Sequence, residues 1–210
     1  MRTGRILAVF GIVALFAACE PTDSMHPLFT EKDRLFEPAL VGTWSDKRGK
    51  PWCKFEKAGE NAYKLLLFGG EGEPIRALEF EAHLMRLGPS LFLDIYPEKM
   101  HFNGKEERLD DFFGMVPTHT FYRLEIDGDF LQYAFLDDEW VKSMIRRKKL
   151  KLPHVEIGGD VVLTATTKDL QKLVLKYARD NEAFPVHDDQ ELHRLSSNAV
   201  GSGPPEKRTP

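Results

Sequence analysis

No apolar run in this chain is long enough to cross a bilayer as a helix. The longest, from Ile6 to Ala18, spans 13 residues, against the roughly 18 to 20 that the hydrocarbon core requires. Basic charge is also short: 29 Lys and Arg stand against 33 Asp and Glu, a formal net charge of −4. A nucleic-acid partner needs a basic surface, so that class is set aside, as is general adhesion to anionic lipid. The histidines (His26, His83, His101, His119, His154, His187 and His193) show neither the i, i+4 spacing of a zinc-binding helix nor a Cys-x-x-Cys partner. There is no Gly-x-Ser-x-Gly elbow and no phosphate loop. The acidic pairs Asp110-Asp111 and Asp137-Asp138 are chain neighbours, whereas glycoside hydrolysis needs carboxylates facing one another across a cleft. The expectation is a protein without catalytic residues, metal or cofactor.

What is present begins at the N-terminus. Arg2 and Arg5 precede the apolar run, and the small residues Ala17 and Ala18 precede Cys19. A basic start, a short apolar middle and a small-residue end make an export signal. Leu15-Phe16-Ala17-Ala18-Cys19 resembles the lipobox of bacterial lipoproteins, with Phe16 where Leu is usual. The resemblance implies cleavage before Cys19 and acylation of that cysteine on sulfur and on its new amine. Two acyl signals are what stable anchoring takes. It also implies a cell-envelope address with the membrane as partner through the lipid on Cys19. Glu20 follows, where an Asp would favour retention in the inner membrane. This points to the outer membrane, facing the periplasm, in a Gram-negative source. Cleavage removes Arg2 and Arg5 and makes the remainder more acidic still. Cys53, in Trp52-Cys53-Lys54-Phe55, is then left without a disulfide partner and reads as a buried thiol acting as a small hydrophobe.

Four stretches follow from composition. Residues 1–18 are the signal peptide. Residues 19–38, with Pro21, Pro27 and Pro38 among polar residues, read as the lipidated Cys19 and a flexible tether. Residues 39–195 form the folded domain. Residues 196–210, rich in Ser, Gly, Pro and charge, form a disordered tail.

Within 39–195 the pattern is mainly β. Trp52–Glu56 and Tyr63–Phe68 read as strands. Arg76–Leu87 places Leu78, Phe80, Ala82 and Leu84 on one parity, with Glu79, Glu81 and His83 on the other. Gly88-Pro89 turns the chain into Ser90–Tyr96. Met100–Gly114 reads as a long charged loop, a lid or an excursion. Thr118–Leu136 is a hairpin with Asp127-Gly128 as its turn. Asp137 caps a helix from Asp138 to about Lys148. The basic run Arg146–Lys151 completes that helix at its negative end; a patch facing anionic headgroups is the other reading. After a strand at Val161–Ala165, Thr166 or Thr167 caps a second helix carrying Leu170, Leu173, Val174 and Tyr177 at i, i+3, i+4, i+7. Both helices are expected over an edge or open end of the sheet. A last strand runs from Glu191 to Leu195. The fold class is an antiparallel meander, an open or closed calycin-like barrel, with two helices packed on it.

Leu40-Val41-Gly42-Thr43-Trp44 resembles the Gly-x-Trp signature at the first strand of lipocalins and related barrels. The resemblance implies that Gly42 and Trp44 form a barrel plug, with a late Arg, here Arg194, packing on Trp44. Those barrels carry a helix after their last strand, whereas here two helices interrupt the late strands. His83 and His119 lie on strands, opposite the more apolar parity, and a ligand-contacting site follows if their strands pair. The function expected is a non-catalytic module binding an apolar or lipid-like ligand; the alternative is a structural or assembly lipoprotein docking an envelope protein.

Overall fold

The computed structural model describes residues 20–68, 76–102, 105–108 and 117–196. Residues 1–19, expected to hold the signal peptide and Cys19, and residues 197–210 of the expected tail lie outside the described residues. The described residues form thirteen strands and two α-helices: β1 (Asp23–Ser24), β2 (Arg34–Leu35), β3 (Gly42–Ser45), β4 (Pro51–Lys57), β5 (Tyr63–Phe68), β6 (Arg76–Leu87), β7 (Ser90–Phe102), β8 (Lys105–Arg108), β9 (His119–Asp127), β10 (Phe130–Phe135), α1 (Asp138–Arg146), β11 (His154–Ile157), β12 (Asp160–Leu163), α2 (Thr167–Tyr177) and β13 (Glu191–Arg194).

Eight of the strands close into an antiparallel barrel. Going round, β3, β4, β5, β6, β7, β9, β10 and β13 pair in turn, and β13 returns to β3 through Arg194 opposite Trp44. The layout is calycin-like, with α1 and α2 inserted between β10 and β13. The hairpin turn between β9 and β10 is Gly128-Asp129, one residue later than the sequence suggests, because Asp127 pairs with Phe130. Gly128 has φ +58°, and glycine in the first turn position is what a type II′ turn calls for. The stretch expected to be a loop from Met100 starts instead as strand: Met100–Phe102 end β7 and pair with β8. Residues 109–114 of that stretch lie outside the described residues.

Two cores share one wall. The barrel interior holds Leu40, Trp44, Phe55, Tyr63, Leu65, Ala82, Leu84, Leu93, Ile95, Leu124, Leu131 and Leu192. On the outside, Met85, Leu87, Phe92, Phe121 and Ala134 meet Trp140 and Val141 of α1 and Leu170, Leu173 and Val174 of α2. The helices therefore lie on the outer face of the wall formed by β6, β7, β9 and β10, and α1 also packs against β12, next to the β11 end of the sheet. The amphipathic stripe of each helix needs an apolar counter-face, and the odd positions of β6 after Leu84 supply it. Full burial of each such side chain contributes about 1.5–3 kcal/mol. Asp137 caps α1 by accepting from Trp140 N–H at 2.6 Å, and Thr166 caps α2 by accepting from Asp169 N–H at 3.3 Å.

The segment expected to be a tether is built into this second core from residue 20 onward. Leu28 is fully buried. Asp23 and Ser24 pair with β9 on one side and, in parallel, with β12 on the other. Arg34 and Leu35 add to β6. Glu20 C=O accepts from Asp138 N–H at 3.1 Å, and Thr22 N–H donates to Leu136 C=O at 2.8 Å. Proline and polar residues suggest a linker, but Leu28 and Phe29 pack on the second core, and the pairings with β6, β9 and β12 take up the backbone groups of β1 and β2. Among the described residues no helix is long and apolar enough to cross a membrane.

Candidate functional site: a plugged barrel and a cleft on its wall

One end of the barrel interior is occupied by Trp44, fully buried, whose indole N–H donates to Leu40 C=O at 2.9 Å. The guanidinium of Arg194 lies over the Trp44 ring at 4.4 Å. It donates to Val41 C=O at 2.6 Å, to Ala39 C=O, and through Nε to Asp129 at 3.0 Å. The carbonyls it binds belong to and follow the short 3-10 turn Pro38–Leu40, which has no further turn to satisfy them. Gly42 has φ +138°, and a Cβ there would stand 2.6 Å from Arg194 Nη1. The structure thus brings Gly42, Trp44 and Arg194 together, each fixed by the others. Phe36 stacks on Tyr63 at 5.2 Å at the same end, and the Tyr63 hydroxyl is held by the backbone of Glu37.

Beyond the plug the interior keeps a cavity of about 110 Å³, with Phe55, Leu65, Leu93, Leu124, Leu131 and Leu192 in its lining. Tyr122 and Tyr133 also line it, their rings edge to face at 5.9 Å. Burial pushes both phenols up, Tyr133 to about 12, so each stays a neutral hydrogen-bond donor at ordinary pH. Trp52, 47 % exposed, stands at the far end from the plug. Cys53 also lines the cavity, 3 % exposed, and burial pushes its thiol up. A nucleophilic thiol needs the opposite shift, which agrees with its reading as a small hydrophobe.

A second concavity, of about 420 Å³, lies on the outer wall. Strands β6, β7 and β9 run side by side there. His83 is directly opposite Asp94, and Glu81 directly opposite Tyr96. Across the other edge of β7, Phe121 stands opposite Asp94, with His119 two residues before it on the same face. Asp94 is 1 % exposed and its two oxygens are engaged, one by Leu28 N–H at 2.6 Å and one by His119 Nδ1 at 2.7 Å. Burial raises the Asp94 carboxyl, and its bond to His119 pulls the other way. His83 is held by Glu81 at 2.8 Å and packs on Phe29 at 4.1 Å; His119 packs on Tyr96 at 4.7 Å. The strands of the two histidines do not pair, yet both rings reach one cleft because β7 lies between them. Asp94 escaped the sequence reading. Its signal was a carboxylate inside Leu91-Phe92-Leu93-Asp94-Ile95, a run otherwise apolar on both parities.

Among the described residues no group of three or more His, Cys, Asp or Glu side chains is placed to hold a metal ion. Comparison with protein-family models, with curated proteins and with solved structures found no match to this chain.

Proposed function

We propose that this chain is an envelope lipoprotein, anchored by acyl groups on Cys19 and, in a Gram-negative source, facing the periplasm from the outer membrane, whose barrel binds an apolar or lipid-like ligand without catalysis. The observation that carries the binding half is the apolar cavity above a Trp44–Arg194 plug. Its 110 Å³ is below the roughly 300–1,000 Å³ of sites that enclose a drug-sized ligand. The ligand that fits inside is therefore a short alkyl segment or a single small ring, with any larger part left at the Trp52 end. The anchoring half rests on the lipobox resemblance.

The alternative, a structural lipoprotein that docks an envelope protein, draws on β11. Among the described residues this strand pairs with β12 alone, and it exposes Val155 (43 %) and Ile157 (61 %). An open strand edge with apolar side chains is a surface for strand addition. Native mass spectrometry of protein purified from membranes in mild detergent separates the readings. The proposal expects the mass of residues 19–210 plus acyl groups, lost in Cys19→Ser, and an additional small apolar molecule that Leu131→Trp expels. Absence of acylation sinks the anchor. An acylated protein that carries no ligand and takes up no short-chain alkyl probe sinks the binding role in favour of the partner reading.

A further inference from the structure

The outer-wall cleft is built differently from the barrel interior. Its floor is rich in acceptors. Asp94 Oδ1 lies 2.7 Å from His119 Nδ1, and the tautomer with its hydrogen on Nδ1 turns Nε2 toward the cleft as a lone-pair acceptor. Among the described residues Nε2 has no hydrogen-bond partner. Glu81, with its side chain 48 % exposed, adds a carboxylate at the rim. The walls are apolar or aromatic: Met25, Phe29, Tyr96 and Pro117. No Lys or Arg is among the described lining residues, and Arg34, which lies over the Phe29 ring at 5.7 Å, is already paired with Glu31. The volume of about 420 Å³ falls within the range of small-molecule sites.

From this we infer a second binding site: the cleft formed by Glu81, His83, Asp94, Tyr96 and His119 takes a small organic ammonium with an apolar or aromatic substituent. The ammonium donates to His119 Nε2 and to Glu81, and the substituent lies against Phe29 and Tyr96, whose ring faces favour a cation. Asp94 is a positioning residue. It does not touch the ligand; it fixes which nitrogen of His119 accepts. An anion of the same shape meets the Glu81 carboxylate, with no Lys or Arg among the described lining residues to offset it, so the site disfavours it.

The probes are benzylammonium and phenylacetate, titrated at mildly alkaline pH into the full-length protein, with the His119 imidazole followed by NMR. Saturable benzylammonium binding that shifts the His119 signals, with at least tenfold weaker binding of phenylacetate, is expected. Glu81→Gln sits at the exposed rim, leaves the fold intact and weakens benzylammonium at least fivefold. Asp94→Asn offers N–H to His119 Nδ1, turns Nε2 into a donor and narrows the preference for the amine over the acid. No saturable binding, equal binding of the two probes, or full affinity in Glu81→Gln would overturn the assignment. Vesicles of phosphatidylethanolamine compete with benzylammonium where the natural ammonium is a lipid headgroup; vesicles of phosphatidylcholine serve as the control. A free amine leaves both vesicles without effect, and either result retains the site. The NMR reporter lies outside the barrel, so this test stands or falls separately from ligand binding in the interior.

Discussion

Replacing Gly42 by Ala perturbs the plug at a single atom. Two costs follow. The backbone at φ +138° is one that side-chain-bearing residues rarely adopt, at about 1–3 kcal/mol. The new Cβ would lie 2.6 Å from Arg194 Nη1, the end of a flexible side chain, so the guanidinium moves. Moving it breaks the 2.6 Å bond to Val41 C=O and lifts it from Trp44. A hydrogen bond to a charged group is worth about 1.5–3 kcal/mol, and the cation–π contact about 0.5–1 kcal/mol or more. The sum is about 3–7 kcal/mol, a large share of the 5–15 kcal/mol typical of a domain. Urea denaturation followed by far-ultraviolet circular dichroism measures it. The decisive comparison is a double-mutant cycle. In an Arg194→Ala background Gly42→Ala should cost only the backbone strain, a coupling of about 2–4 kcal/mol. Additive effects within about 0.5 kcal/mol would refute the view that glycine is needed there to admit Arg194.

Three other outcomes follow from the same geometry. Leu28→Ala, in the segment that reads as a linker, should cost about 2–5 kcal/mol, measured in the same urea titration; a loss under 0.5 kcal/mol would show that the segment is not part of the core. The Asp94 carboxyl is raised by burial, so its contribution to stability is present below the unfolded carboxylate value and fades as pH rises through the folded one. Urea midpoints of wild type and Asp94→Asn, compared at neutral and acidic pH, should therefore shift in favour of wild type on acidification; a shift the other way contradicts the assignment. Cys53, its thiol raised by burial, should resist Ellman's reagent in the native protein and react at the ordinary rate once unfolded, and fast native labelling would place it at the surface.

The barrel was legible because its strands alternate and its turns carry Gly. In β6 the apolar parity from Leu78 to Leu84 identifies the interior face directly. The second core was also written in the sequence, as a loss of alternation. Leu84-Met85 and Leu91-Phe92-Leu93 are apolar on both parities, which is what a strand buried on both faces requires. That signal gives no partner, so the helices are recognised by their own periodicity, but the barrel wall beneath them is not legible from it. The role of residues 20–35 was hidden for a different reason. Their pairings reach Thr120 and Val162, and no local pattern encodes contacts of that sequence separation. Gly42 and Trp44 were found through a motif and Arg194 through its expected partner. The outer cleft needs three strands and the N-terminal segment together, and only the carboxylate in an apolar run hinted at it.

The shared wall has a thermodynamic consequence. Leu84 and Met85 are chain neighbours that face opposite cores, and so are Phe92 and Leu93. A strand cannot release one of its faces to solvent while keeping the register that holds the other. The helical layer is thus no detachable veneer on a self-sufficient barrel; both cores melt as one cooperative unit. A scanning calorimeter should record a single endotherm whose calorimetric and van't Hoff enthalpies agree, with no early transition belonging to α1 and α2 alone.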